Sequence, residues 1–298
     1  MHIDFSDEKA LLRRIKNSDH VSFIFGSALS AKHDDIGIPN VNEMTQMAID
    51  YIHQLEQEDI DDYNLSMINS DSDNKYQDTF HFIIGNYGIE VANQIIEKAI
   101  LSNVDESTKK HKITKPINDL VEKISDNTLI VDNIITTNFD TLIEEGFKQK
   151  KILFNGISIV SDSNINDNNN NLTNIIHIHG VWDRSDTMHT KSQLNNNREK
   201  IESSLKRILN ENVIIVMGYG GWEDSFMRSI SGVLNDDKAT YSILWCFYEN
   251  DELKIKSNTS FFDSLKDAIS RGRITFYKGI NCHDFFGKLK KKTVLIKI

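Results

Sequence analysis

A chain of 298 residues, 39% hydrophobic and 26% charged, has the apolar material for a substantial core and the composition of an ordinary globular protein. With 44 acidic against 34 basic side chains the net charge is −10, which argues against a broad nucleic-acid or anionic-membrane surface, since phosphate binding needs clustered Lys and Arg. Two isolated cysteines, Cys246 and Cys282, exclude a disulfide framework and a Cys-x-x-Cys zinc site, and no window approaches the ~18 apolar residues of a membrane span.

The first residues, Met1 to Glu8, are acidic and lack the apolar stretch of a signal peptide, so the cytoplasm is the expected compartment. Leu11, Leu12 and Ile15 share one side of a predicted helix over 7–17. Val21-Ser22-Phe23-Ile24-Phe25 is short, apolar and rich in strand formers, and it ends at Gly26. Gly26-Ser27-Ala28-Leu29-Ser30-Ala31 then turns towards a helix. Such a turn lets backbone N–H groups approach a phosphate, or is simply a tight strand-to-helix connection. After the loop containing Gly37-Ile38-Pro39, Asn40 and Glu43 have capping-box spacing and predict a helix over 41–57. The pattern stays helical to about residue 127, with apolar spacing strongest at 77–101 and 114–125.

Asn133-Ile134-Ile135-Thr136-Thr137-Asn138-Phe139-Asp140 is a buried strand running into a polar cluster, with a helical pattern directly after it. Asp140 suits a helix N-cap; Asn138 sits too early to cap anything. Residues 151–154 read as a strand, and the Asn-rich stretch 161–171 as an exposed loop. Further strands are predicted over 174–180, ending in His179-Gly180, and over 213–218, running into Tyr219-Gly220. Residues 196–210 and a segment ending near Leu234 read as helices. Strand–helix–strand alternation continues through 241–248, 258–270 and 273–277, then a short helix over 283–289 and a last strand over 293–298. Lys288, Lys290, Lys291 and Lys292 form the densest basic run, read as a solvated surface.

Apolar strands alternating with helices predict an α/β fold, a Rossmann-like parallel sheet with helices on both faces. The expected organisation is one domain over 1–298, with a core at about 18–40 and 128–298 and a helical insertion at about 41–127. Ligands of such sheets bind beyond the carboxyl ends of the strands. Four of those ends, Gly26, Asn138, His179-Gly180 and Gly218, gather small and polar residues and so predict a pocket.

The order Gly26-Ser27-Ala28-Leu29-Ser30, Gly37-Ile38-Pro39, Thr137-Asn138-Phe139-Asp140, His179-Gly180 and Gly218-Tyr219-Gly220…Asp224 resembles the sirtuin-like NAD-binding domains, and their bacterial anti-phage defence branch more than the protein deacylases. The resemblance implies that Gly26, Ser27, Ala28 and Ser30 hold the NAD pyrophosphate, with Pro39 and Asn40 in a loop covering the dinucleotide. It places Asn138 and Asp140 by the nicotinamide and its ribose, makes His179 the general base, and lines the ribose and phosphate path with Gly218, Tyr219 and Gly220. Asp224 matches a carboxylate that caps or braces the following helix. The chain departs from the deacylases at three points. Gly26-Ser27-Ala28 replaces Gly-Ala-Gly, Asn40-Val41-Asn42-Glu43 stands where an Arg is usual, and two cysteines cannot supply the four-cysteine zinc module.

The chemistry so implied is NAD hydrolysis at the nicotinamide–ribose bond, with NAD as substrate and no zinc or other metal. The alternative is a module that binds NAD or a related nucleotide without turnover. His179 also has the ordinary reading of a satisfied structural histidine. Period-two geometry puts His177 and His179 on one face, which raises a metal pair, but no third ligand is visible. By resemblance, the activity is expected to be gated in a homo-oligomer, or by a separate defence partner such as a HerA-type ATPase, with no direct nucleic-acid or membrane contact.

Overall fold

Eight strands, β1 (Phe5–Ser6), β2 (Val21–Phe25), β3 (Val131–Thr136), β4 (Phe154–Ser158), β5 (Thr173–His177), β6 (Val213–Met217), β7 (Ser242–Cys246) and β8 (Ile274–Tyr277), form one sheet in the order β1-β8-β7-β6-β2-β3-β5-β4. The computed structural model describes residues 3–70, 74–166, 172–194, 197–209, 213–221, 225–234, 236 and 241–291. Every neighbouring pair of strands is parallel. Setting aside the edge strands β1 and β4, the spatial order β5-β3-β2-β6-β7-β8 is the Rossmann order, in which the sheet grows one way from the first strand and then the other. The switch falls between β2 and β6, so a crevice opens where Phe25 and Met217, paired in register, end their strands.

Both sheet faces are buried, which is why the strands read as continuous apolar runs. Phe23, Phe25, Ile134, Ile175, Ile215, Met217 and Leu244 enter one core; Ile24, Ile135, Ile176, Ile214, Val216, Ile243 and Trp245 enter the other. The helices are α1 (Glu8–Lys16), α2 (Val41–Ile52), α3 (Gln57–Ser66), α4 (Lys75–Tyr87), α5 (Ile89–Leu101), α6 (Lys115–Ser125), α7 (Leu142–Gln149), α8 (Lys191–Leu194), α9 (Glu199–Ile208), α10 (Ser225–Leu234), α11 (Glu252–Lys256), α12 (Thr259–Ser264), α13 (Lys266–Ser270) and α14 (Cys282–Phe285). Leu11, Met44, Phe80, Ile96, Leu120, Phe147 and Phe285 bring α1, α2, α4–α7 and α14 to the first core. Leu205, Ile230, Phe261 and Ala268 bring α9, α10, α12 and α13 to the second.

Local chemistry sets the helix ends. The Asn40–Glu43 capping box forms as expected, each side chain accepting the other's backbone N–H at 3.0 and 2.8 Å. Helix α2 stops at Ile52, short of the expected residue 57, because its buried face ends there. The acidic Glu56, Glu58 and Asp59 that follow oppose a helix C-terminus but favour the start of α3. The apolar pattern over 77–101 is two helices, divided where Gly88 takes φ +90°.

Two expectations need correcting, and one strand went unread. Lys151, with φ +57°, completes the turn out of α7, so the fourth strand lies at Phe154–Ser158; its half-exposed edge position hid it from an apolar search. Ile165, inside the supposed exposed loop, is buried: its N–H donates to Ser204 Oγ at 3.0 Å and its carbonyl accepts from Arg207 at 2.7 Å. The two-residue β1, paired with Phe276 and Tyr277, was too short to read. Asp224, Lys292 and the strand expected over 293–298 lie outside the described residues.

Candidate functional site

At the switch point the chain ends of β2 and β6 touch. A Cβ on Gly26 would overlap the Gly218 carbonyl oxygen, while one on Gly218, which has φ +66°, would sit 2.8 Å from the Ala28 Cβ. Small residues there answer first to backbone packing. A cavity of about 310 Å³ opens beside this contact. Gly26, Ser27, Pro39, Asn40, Asn138, Asp140, His179, Gly218, Tyr219 and Gly220 all line it, so the structure brings together residues from four strand ends and the covering loop. Ala28 and Ser30 do not reach the cavity. Ala28 packs under Gly218, and Ser30, fully buried, lies behind the wall.

Ser30 joins the two polar residues of the β3 end. Its hydroxyl donates to Asp140 Oδ1 at 3.0 Å and accepts from Asn138 Nδ2 at 3.2 Å. Asp140 Oδ1 also accepts the Leu142 N–H at 3.0 Å, but the N-cap of α7 is Thr141, one residue later and without a side-chain cap hydrogen bond, so Asp140 is not the N-cap the sequence suggested and stands in the cavity wall. Its other oxygen, Oδ2, is buried without a hydrogen-bond partner. Burial raises the Asp140 carboxyl above the ordinary aspartate range, against the opposing pull of the Leu142 N–H and the Ser30 hydroxyl.

Backbone contacts hold Asn138 itself on both sides. Its N–H donates to Thr136 Oγ1 at 3.0 Å and its carbonyl accepts from His177 Nδ1 at 2.7 Å. His177 Nε2 lies 2.9 Å from Glu144 Oε1, which also accepts from Arg184 at 3.2 Å. Burial alone would lower the His177 pKa, but the Glu144 charge and these hydrogen bonds outweigh it and hold it above the ordinary value. Glu144 shifts the other way: burial would raise it, and His177 holds it low.

His179 is 7% exposed and stays neutral. Burial pushes its pKa down to about 3, helped by the nearby Arg198 charge, against a hydrogen bond to the Thr137 backbone. Arg198 is buried too, donating to the Ile178 carbonyl at 2.6 Å and to that of Ser161 at 3.3 Å. His177 and His179 thus have separate partners, and no group of three or more His, Cys, Asp or Glu among the described residues is arranged to hold a metal ion.

The helical segment supplies the opposite wall: Val41 and Met44 of α2, Tyr76 and Gln77 of α4. It is fastened at His189, whose Nδ1 shares a 2.7 Å hydrogen bond with the Tyr76 hydroxyl while its ring stacks on Phe80 at 4.9 Å. Burial lowers the His189 pKa to about 3. Nothing in the sequence singled out His189, Glu144 or Arg198. The acidic first turn of α7 was the one available hint for Glu144.

Residues 132–266 match the family model of the SIR2-like domain. Among solved structures, the chain is similar to a Sir2 homologue in complex with NAD (11% identity, 97% of this chain and 94% of that one, TM-score 0.48) and to a Sir2 homologue with 2′-O-acetyl-ADP-ribose (12%, 95% and 95%, 0.47). A Sir2 homologue with ADP-ribose is another (12%, 89% and 98%, 0.41). A search of curated proteins finds no match. No helix of the described residues is long and apolar enough to cross a membrane.

Proposed function

We propose that this protein is an NAD glycohydrolase, cleaving NAD to nicotinamide and ADP-ribose. The observation that carries the reading is that Asn138 and His179 line one cavity with the Gly26-Ser27 turn and Gly218-Tyr219-Gly220, at the switch point of a Rossmann-ordered sheet. The match of residues 132–266 to the SIR2-like domain supports it.

In this reading the C1′–N bond breaks with its electron pair passing to the pyridinium nitrogen, so nicotinamide leaves neutral and needs no acid. A water oxygen bonds to C1′, and its proton passes to the neutral imidazole of His179. An imidazole with a pKa near 3 is a poor acceptor, but the pyrophosphate of a bound dinucleotide adds two negative charges and favours its protonated form. The Asn138 amide, held against Ser30, orients ribose and water without adding charge. Asp140 Oδ2, buried without a partner, receives the nicotinamide carboxamide N–H.

The motif order supports placing this activity in anti-phage defence by abortive infection, in the cytoplasm, gated by homo-oligomerisation or by a partner such as a HerA-type ATPase. The test is to incubate purified protein with NAD, alone and with candidate partners, and follow nicotinamide release. Release is expected from the wild type and should fall by ~10²-fold or more in His179→Ala and Asn138→Ala. Nicotinamide release that survives both substitutions would sink the site assignment. Binding of NAD without release under any condition leaves a nucleotide-binding module.

A further inference from the structure

His177 is a buried, titratable side chain that the hydrolytic reading does not use. It closes β5, is 1% exposed, and touches two different parts of the site's support. A carbonyl oxygen only accepts, so the 2.7 Å contact with the Asn138 carbonyl requires a proton on Nδ1. The 2.9 Å contact of Nε2 with Glu144 Oε1 requires a second proton between them. Arg184, also on Glu144 Oε1, marks that group as a carboxylate, so the second proton belongs to the ring. His177 is an imidazolium.

A buried ion pair is a poor way to hold a strand against a helix, because apolar side chains of the same volume do so at least as well. An apolar pair could not grip a carbonyl oxygen, however. The Asn138 peptide is fixed at its N–H by Thr136 Oγ1 and at its C=O by His177 Nδ1, and between those points the side chain leaves for Ser30 and the cavity. We propose that His177 is a positioning residue: its ring ties the Asn138 carbonyl to the Glu144 carboxylate and so sets the direction in which the Asn138 amide faces the reacting ribose. The last clause rests on the glycohydrolase reading; the tie does not.

Two substitutions separate the two ends of the ring. In His177→Asn the side-chain amide falls near Nδ1, keeping a donor for the Asn138 carbonyl and giving up Glu144. In His177→Gln it falls near Nε2, keeping Glu144 and giving up Asn138. The proposal expects turnover to fall on the order of 30-fold in His177→Gln but only about threefold in His177→Asn, with NAD affinity within about twofold of wild type in both. Melting temperatures need not follow that order, since His177→Asn is the variant that strips Glu144 of its ring partner. NMR of asparagine-labelled protein adds a readout independent of activity. The Asn138 side-chain amide, assigned by its absence from Asn138→Ala, should keep its shift in His177→Asn and move in His177→Gln. Equal losses in the two variants, or an Asn138 amide unmoved in His177→Gln, would overturn the proposal. A wild type that releases no nicotinamide would instead overturn the hydrolytic reading, and the amide shifts would still decide the tie.

Discussion

One hydroxyl, that of Ser30, serves two residues of the site at once. It donates to Asp140 Oδ1 and accepts from Asn138 Nδ2, and it is fully buried, so water cannot replace it. Ser30→Ala removes both contacts and leaves Asp140 Oδ1 with the Leu142 N–H alone. The expected cost is about 1–3 kcal/mol of folding stability, measured by urea titration, with a further rise in the Asp140 pKa. Stability within a few tenths of wild type would show that the hydroxyl bonds exist without weight. The sequence marked Ser30 as a phosphate contact by resemblance, whereas the three-residue 3-10 turn after β2 carries it behind the wall. Asn138 and His179 were legible because polar residues that end apolar strands stand out. Glu144, Arg198 and His189 were not: partners brought together from separate elements leave no periodic mark along the chain.

At the level of elements, the wall facing the strand ends depends on how α4 is fastened to the core. Tyr76 donates or accepts at His189 Nδ1, and Thr187 Oγ1 meets Nε2 of the same ring, so one buried imidazole completes a chain between the helical segment and the loop after β5. Tyr76→Phe keeps the ring packing on Phe80 but leaves His189 Nδ1 without that partner. Amides of α4 should then exchange with solvent faster by about tenfold, the equivalent of about 1.4 kcal/mol, while those of β6 keep their protection. Unchanged exchange along α4 would mean that aromatic packing alone holds the helix. Capping marks α2 in the sequence and periodicity marks α6 and one helical stretch covering α4 and α5 together, but neither marks this fastening, which joins side chains 113 residues apart.

For the whole molecule, the buried histidines make stability depend on pH with opposite signs on the two sides of 6.5. His179 and His189 have folded pKa values near 3 against 6.5 in the unfolded chain. Below pH 6.5 the unfolded chain takes up protons that the folded one refuses, so stability falls with acid, by about 2 kcal/mol for each of them between pH 6.5 and 5. His177 is raised, so its contribution is fully present below 6.5 and is lost as pH rises through its folded value. Its partner Glu144 is lowered, and that contribution is lost only as pH falls below 4.5. The sum is a stability maximum near pH 6.5, readable as melting temperature across pH 5 to 9. His189→Gln, which cannot become charged on unfolding, should flatten the acid limb, and His177→Asn the alkaline limb. If His189→Gln leaves the acid limb as steep as in wild type, the buried imidazole between α4 and the β5 loop is not what the acid attacks. The fold class itself was open to sequence because both sheet faces are buried and the central strands carry consecutive apolar residues, as in Phe23-Ile24-Phe25, Ile134-Ile135 and Ile214-Ile215-Val216. These pH limbs were not, because they depend on which histidines the fold leaves charged and which it keeps neutral.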